Sequence, residues 1–172
     1  WAASLLVMAG WNGDEALLDP FCGSGTIPIE AARLASGLPP WTERDFAWKS
    51  WLPLAGLEPR KTRQAPLPCP IVGTDHHAPS IGMARRNAER AEAKISFDVR
   101  EVLDAGQAVE KTGLIATNPP YGARLGRRVE GVYEDLGELL ETTLPSWRAI
   151  FLAPRDALAA RVSSTAQRIT QF

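Results

Sequence analysis

Leu17-Leu18-Asp19-Pro20-Phe21-Cys22-Gly23-Ser24-Gly25-Thr26-Ile27 is the stretch that decides the fold. The apolar run Ala16-Leu17-Leu18 ends at Asp19-Pro20 and is followed by a glycine-rich turn. From Ile27 to Ala35 the apolar residues recur at helical spacing. Strand, glycine turn and helix in that order open an α/β unit, with the turn at the carboxyl end of the strand.

The same alternation continues outward. Pro70-Ile71-Val72-Gly73-Thr74 predicts a second strand ending at Asp75, and Ile81, Ala84, Ala88 and Ala91 mark one face of the helix after it. Ile95 to Val99 alternates as a strand, and Leu114-Ile115-Ala116-Thr117 predicts a buried strand broken at Asn118-Pro119-Pro120. Val132, Leu136, Leu139 and Leu140 mark a further amphipathic helix, Ala149 to Leu152 a buried strand, and Arg168 to Phe172 a strand interrupted by the chain end. Short apolar strands separated by helices predict a mostly parallel sheet with helices on both faces.

Between residues 39 and 70 stand seven of the 14 prolines and three of the six tryptophans, Trp41, Trp48 and Trp51. So many prolines exclude a long helix or a central strand there, and the indoles argue against a solvated linker. This window is expected to be an excursion within a single domain spanning 1–172. A chain of 172 residues has room for one hydrophobic core. The net charge of −1 averages unlike halves: residues 1–32 carry four acids and no base, whereas 13 of the 19 basic residues lie from residue 81 onward. No apolar run reaches the length of a membrane span. Two distant cysteines, Cys22 and Cys69, fit a reducing, cytoplasmic setting, and with His76 and His77 they lack zinc-site spacing, so no metal is expected. Starting at Trp1 without a methionine, the chain is expected to be part of a longer protein.

Three strand ends carry candidate chemistry. The Asp19–Thr26 turn resembles neither of the common phosphate loops: no Lys-Ser/Thr pair follows its glycines, and Pro28 occupies the third glycine position of a dinucleotide fingerprint. With Asp19 the nearest charge and no base before Arg33, the turn suits a cationic or neutral ligand, or serves only as a tight turn. At the second strand end, Asp75 either caps the following helix or accepts hydrogen bonds from both hydroxyls of a ribose, with His76 or His77 packing beside the ligand. At the fourth, Asn118-Pro119-Pro120-Tyr121-Gly122 sets an amide oxygen, a proline carbonyl and a phenol on a rigid turn. Those groups can grip a planar ring through its exocyclic amine, or form a purely structural turn. Arg124, Arg127 and Arg128 follow, as phosphate contacts or as a solvated loop.

Together, Asp-Pro-Phe-Cys-Gly-Ser-Gly-Thr, Gly-Thr-Asp and Asn-Pro-Pro-Tyr-Gly resemble the Rossmann-like class I S-adenosylmethionine-dependent amino-methyltransferases. The nearest likeness is to RNA guanine-N2 methyltransferases of the bacterial 23S ribosomal type, whose catalytic domain follows an RNA-binding THUMP domain. The likeness extends to Leu5–Trp11, Ile27–Ala32, Ala84–Ala88 and the Arg44-Asp45-Phe46-Ala47-Trp48 segment. It implies that Asp19, Gly23 and Gly25 hold the methionine end of S-adenosylmethionine and Asp75 its ribose, with Phe21, Thr26 and His76 also among the cofactor-binding residues. It implies further that Glu101, with Asp104 as rival, meets the adenine. Asn118, Pro119, Pro120 and Tyr121 would orient the target guanine, with Asn118 also bordering the cofactor. Arg124, Arg127 and Arg128 would contact RNA, with ribosomal RNA favoured over transfer RNA. DNA adenine-N6 or cytosine-N4 methylation, which uses a similar turn, and an inactive RNA scaffold are the competing functions. An upstream RNA-binding domain and a final antiparallel strand are expected outside this chain.

Overall fold

The computed structural model describes residues 1–37, 67–109, 112–121 and 129–169. Its sheet has five strands, β1 (Ala16–Asp19), β2 (Ile71–Asp75), β3 (Ser96–Val99), β4 (Gly113–Thr117) and β5 (Arg148–Phe151). They lie in the order β3-β2-β1-β4-β5, and every pair is parallel. The helices are α1 (Ala2–Met8), α2 (Thr26–Ala35), α3 (Ala78–Arg90), α4 (Val129–Glu138) and α5 (Asp156–Val162). A 3-10 helix spans Val102–Ala108, and a π-helical turn, Leu139–Thr143, prolongs α4.

Burial follows strand position. Every residue of β1 and β4 is buried, as central parallel strands covered on both faces require, whereas the edge strands β3 and β5 are partly exposed. Neighbouring residues face opposite ways. Leu18, Val72 and Ile115 pack with Tyr133, Leu136 and Leu139 on one side; Leu17, Ile71 and Leu114 pack with Leu5, Leu6, Trp11 and Ile27 on the other. Under α3, Ile81, Ala84 and Ala88 close over Phe97 and Cys22. Gly73 makes this possible, since a Cβ there would come within 2.7 Å of the Phe97 ring.

After β3 the chain crosses to the far side of β1, so β1 and β4 are the neighbours between which the winding reverses. Open α/β sheets bind ligands beyond the carboxyl ends of strands at such a reversal. Here those ends are Asp19 and Thr117-Asn118.

The predicted strands other than the terminal one, and the helices carrying Ile27, Ile81 and Val132, are present within a residue or two. Ala91 belongs to the cap of α3, not to its buried face. Helices α1 and α5 and the 3-10 helix are findings of the structure. The Pro/Trp-rich window lies outside the described residues up to residue 66. The expected terminal strand lies outside them from residue 170; Arg168 and Ile169 form irregular chain, with Arg168 paired to Asp156.

Candidate functional site at the reversal of strand order

The first turn is built by its own backbone and two carboxylates. Gly23 and Gly25 adopt φ of +52° and +85°, a region costly for residues with a Cβ, and Gly25 is the N-cap of α2. A Cβ on Gly25 would lie 3.1 Å from Ala84 Cβ and from the Phe97 ring, whereas one on Gly23 would meet nothing within 4 Å. Gly25 is thus demanded by packing beneath the turn, while Gly23 leaves open space on its surface.

Asp19 is 1% exposed, and no cation pairs with it among the described residues. Its Oδ1 accepts the Thr117 hydroxyl at 2.6 Å and the Phe21 N–H at 3.2 Å. Burial pushes its pKa from 3.8 up to about 7; the two hydrogen bonds oppose the rise, and Asp75 adds to it. Burial likewise raises the Cys22 thiol, which is therefore a neutral packing group.

Asp75 ties the second strand end to the first. Its Oδ2 accepts the Gly23 N–H at 3.0 Å and its Oδ1 the His77 N–H at 2.8 Å. It therefore braces the glycine turn, which the sequence pattern did not reveal, and it bonds the N–H of His77, the residue that proves to be the N-cap of α3 in place of Asp75. His76 is exposed, with Nδ1 at 3.7 Å from Asp75 Oδ1. His77 is also exposed, its Nδ1 at 3.0 Å from Ser80 Oγ. From α3, the Asn87 amide donates to Ser24 O at 3.0 Å, fixing the turn from a third element. Phe21 is half-buried against the core, and exposed Thr26 has its hydroxyl 3.3 Å from that of Ser24.

The two candidate acids after β3 differ. Asp104 accepts from the Gln107 amide at 2.9 Å, while the exposed Glu101 carboxylate has no partner among the described residues. Arg85, exposed on α3, donates to Phe97 O and ties that helix to β3.

At the end of β4 the arrangement is different. Pro119 is buried and Pro120 half-buried, which fixes the turn, but Asn118 is exposed and its amide has no partner among the described residues. Tyr121 is 53% exposed. Beneath them Tyr133 is fully buried, donates to Leu152 O at 3.0 Å and meets Phe151 edge-on at 6.3 Å. Arg124, Arg127 and Arg128 lie outside the described residues. Among the described residues no cluster of His, Cys, Asp and Glu could hold a metal, and no helix is long and apolar enough to cross a membrane.

Known proteins resemble this chain over nearly its whole length. The large-subunit ribosomal RNA methyltransferase K/L of Syntrophotalea carbinolica is 35% identical over 98% of this chain, and that of Chromohalobacter salexigens is 35% identical over 99%. The chain spans about a quarter of the length of each, 26%. A crystal structure from Listeria monocytogenes, described as that of a predicted N6-adenine-specific DNA methylase, superposes with a TM-score of 0.83 and 28% identity. That match covers 97% of this chain and 46% of the Listeria chain. The model of the family described as UPF0020, RMKL-like methyltransferase domain, matches residues 1–172. The chain belongs to this family of methyltransferase domains.

Proposed function

We propose that this chain is a single catalytic domain that transfers a methyl group from S-adenosylmethionine to the exocyclic N2 of guanine in RNA, with ribosomal RNA as the substrate class. The carrying observation is the 2.6 Å hydrogen bond from Thr117 to Asp19, which brings an anionic turn and an open amide-and-phenol turn together where the strand order reverses.

The donor set suits this cofactor. Asp19 is a buried carboxylate paired with no cation among the described residues, and the ammonium of the methionine moiety would supply one. The open side of Gly23 admits a ligand against the backbone, flanked by Phe21, Gly25 and Thr26. Asp75 keeps lone pairs beyond its two backbone bonds for ribose hydroxyls, with His76 alongside. Glu101, which has no partner among the described residues, rather than the engaged Asp104, is the acceptor for an adenine amino group. When bound, the cofactor supplies an electrophilic methyl on sulfur. Asn118 Oδ1 and the Pro119 carbonyl accept the N–H bonds of the target amine and aim its lone pair, while Tyr121 stacks on the ring. Asn118 cannot take a proton as a base, so it works by orientation and by stabilising charge that develops on nitrogen. The released proton passes to water. A base paired in a duplex cannot reach such a turn, so the target nucleotide is unpaired or extruded.

The RNA reading is supported by the names of the K/L relatives. The name of the Listeria neighbour favours a second reading, adenine-N6 in DNA, whose amine would fit the same acceptors. The test incubates the full-length protein with methyl-labelled cofactor and unmodified ribosomal RNA, transfer RNA or DNA, then separates the nucleosides. Label in N2-methylguanosine from ribosomal RNA is expected; label in methyladenine would overturn the guanine assignment.

A further inference from the structure

Thr117 is the last residue of β4, fully buried, and immediately precedes Asn118. Its hydroxyl donates to Asp19 Oδ1 at 2.6 Å, while its carbonyl accepts the Leu152 N–H, just after β5, at 3.2 Å. One residue is therefore clamped from both neighbouring strands, side chain to β1 and backbone to β5. We propose that Thr117 is the positioning residue of this site, fixing the Asp19 carboxylate that receives the cofactor's ammonium and the point from which the Asn118 turn projects. The cofactor half of this inference rests on the reading given above.

The chemistry follows from what faces Asp19. From β4 there is the Thr117 hydroxyl; from its own turn, the Phe21 N–H and the neutral Cys22 thiol; from β2, the Asp75 carboxylate. Among the described residues only the two hydrogen bonds favour the ionised form, and that of Thr117 is the shorter and the stronger. An ammonium ligand needs the ionised form. Thr117 thus keeps Asp19 competent near neutral pH, against burial and against Asp75. Valine is nearly isosteric with threonine and removes the donor alone, leaving a carboxylate short of one bond.

The experiment titrates S-adenosylhomocysteine into the full-length protein between pH 5.5 and 8.5, for wild type, Thr117→Val and Thr117→Ser. In wild type, affinity is expected to rise with pH and level off near neutrality. Thr117→Val is expected to bind roughly 10- to 100-fold more weakly at pH 7, the loss of one hydrogen bond to a charged group, with its plateau displaced to higher pH. Thr117→Ser should restore both. A weaker variant with the wild-type pH profile would mark a purely structural residue and overturn the proposal. So would a full further loss when Thr117→Val is added to Asp19→Asn, where less than about threefold is expected. Ligand-free denaturation separates the two readings. The stability gap between wild type and Thr117→Val should widen above pH 7, because only the variant goes on losing stability as its carboxyl ionises. If no form binds S-adenosylhomocysteine, the methyltransferase reading falls with the cofactor half, and that gap still decides whether Thr117 governs Asp19; a gap constant with pH rejects it.

Discussion

The turns after β1 and β4 lie side by side and are built on opposite rules. After β1 the polar groups are largely engaged within the protein: Asp19 by Thr117 and Phe21, Asp75 by Gly23 and His77, the Ser24 carbonyl by Asn87. After β4 the backbone is stiffened by Pro119 and Pro120, yet Asn118 and Tyr121 project without partners among the described residues. A turn that must hold a charged ligand gains from a preorganised network, since dipoles already aligned cost nothing to reorganise on binding. A turn that must accept a substrate amine gains from unspent acceptors on a rigid support. The first region should therefore answer mutation in affinity and stability, the second in rate.

Asn118→Ala gives the largest separation. It removes an exposed acceptor that no described residue uses, so kcat should fall about 10²- to 10³-fold, the usual cost of one group stabilising developing charge. Thermal stability should stay within about 1 °C, and S-adenosylhomocysteine affinity within about fivefold. A loss of affinity as large as the loss of rate would erase the distinction between the turns.

Asp19→Asn tests the other side. Cofactor affinity should fall roughly 100-fold, because a buried charge partner is lost. Ligand-free stability should move the other way. With a folded pKa of about 7 against 3.8, Asp19 holds a proton in the folded state that the unfolded chain has released. Wild-type stability therefore declines as pH rises from about 4 to about 7 and is level above, and the variant lacks this decline. At ~1.4 kcal/mol per pH unit, the gap closes or reverses by a few kcal/mol, which urea denaturation across that range would measure. Parallel pH profiles would mean that Asp19 is ionised in the folded protein throughout.

What the sequence makes legible is whatever is encoded locally. Apolar runs broken at Asp19-Pro20 and Asn118-Pro119 announce strand ends, and the glycine pair announces the turn between β1 and α2. Thr117 is invisible by the same standard. A threonine closing an apolar strand reads as an ordinary β-former, and its partner Asp19 lies 98 residues away, met only through the Leu18–Ile115 register. The bracing of Gly23 by Asp75 is hidden likewise, across 52 residues. Gly137 on α4 gives no local hint that a Cβ would strike the Val162 carbonyl at 2.8 Å, yet that near-contact lets α5 lie against α4. Local chemistry marks the candidate groups; the sheet register determines which of them meet.

Gly23 and Gly25 allow the comparison to be sharpened within one turn. Alanine at either position meets backbone strain of about 1–2 kcal/mol at positive φ. At Gly25 the new methyl also presses on Ala84 and Phe97, adding about 1–3 kcal/mol, so Gly25→Ala should lower stability by roughly 2–5 kcal/mol in denaturant titration. At Gly23 the methyl enters open space, so the stability loss should stay near the strain alone while cofactor affinity falls about tenfold. Equal stability losses with unchanged affinity at Gly23 would remove the open side of the turn from the binding site.

The smallest expected effect concerns the two phenols of the chain. Tyr133 is fully buried, its hydroxyl bonded to Leu152 O, and burial with a contribution from Tyr121 pushes its pKa up to about 12. It is a neutral structural donor at any working pH, and it supports the segment after β5 that also donates to Thr117. Tyr133→Phe should therefore cost about 1 kcal/mol of stability, one hydrogen bond and a carbonyl left without its donor. Tyr121, half in solvent, offers its ring more than its hydroxyl. Tyr121→Phe should leave stability unchanged and kcat/KM within about threefold, whereas Tyr121→Ala, which deletes the stacking face, should lower kcat/KM by roughly tenfold. If Tyr121→Phe proved as damaging as Tyr121→Ala, the hydroxyl would be the working part, and the β4 turn would act on the target amine through three oxygens instead of two oxygens and a ring.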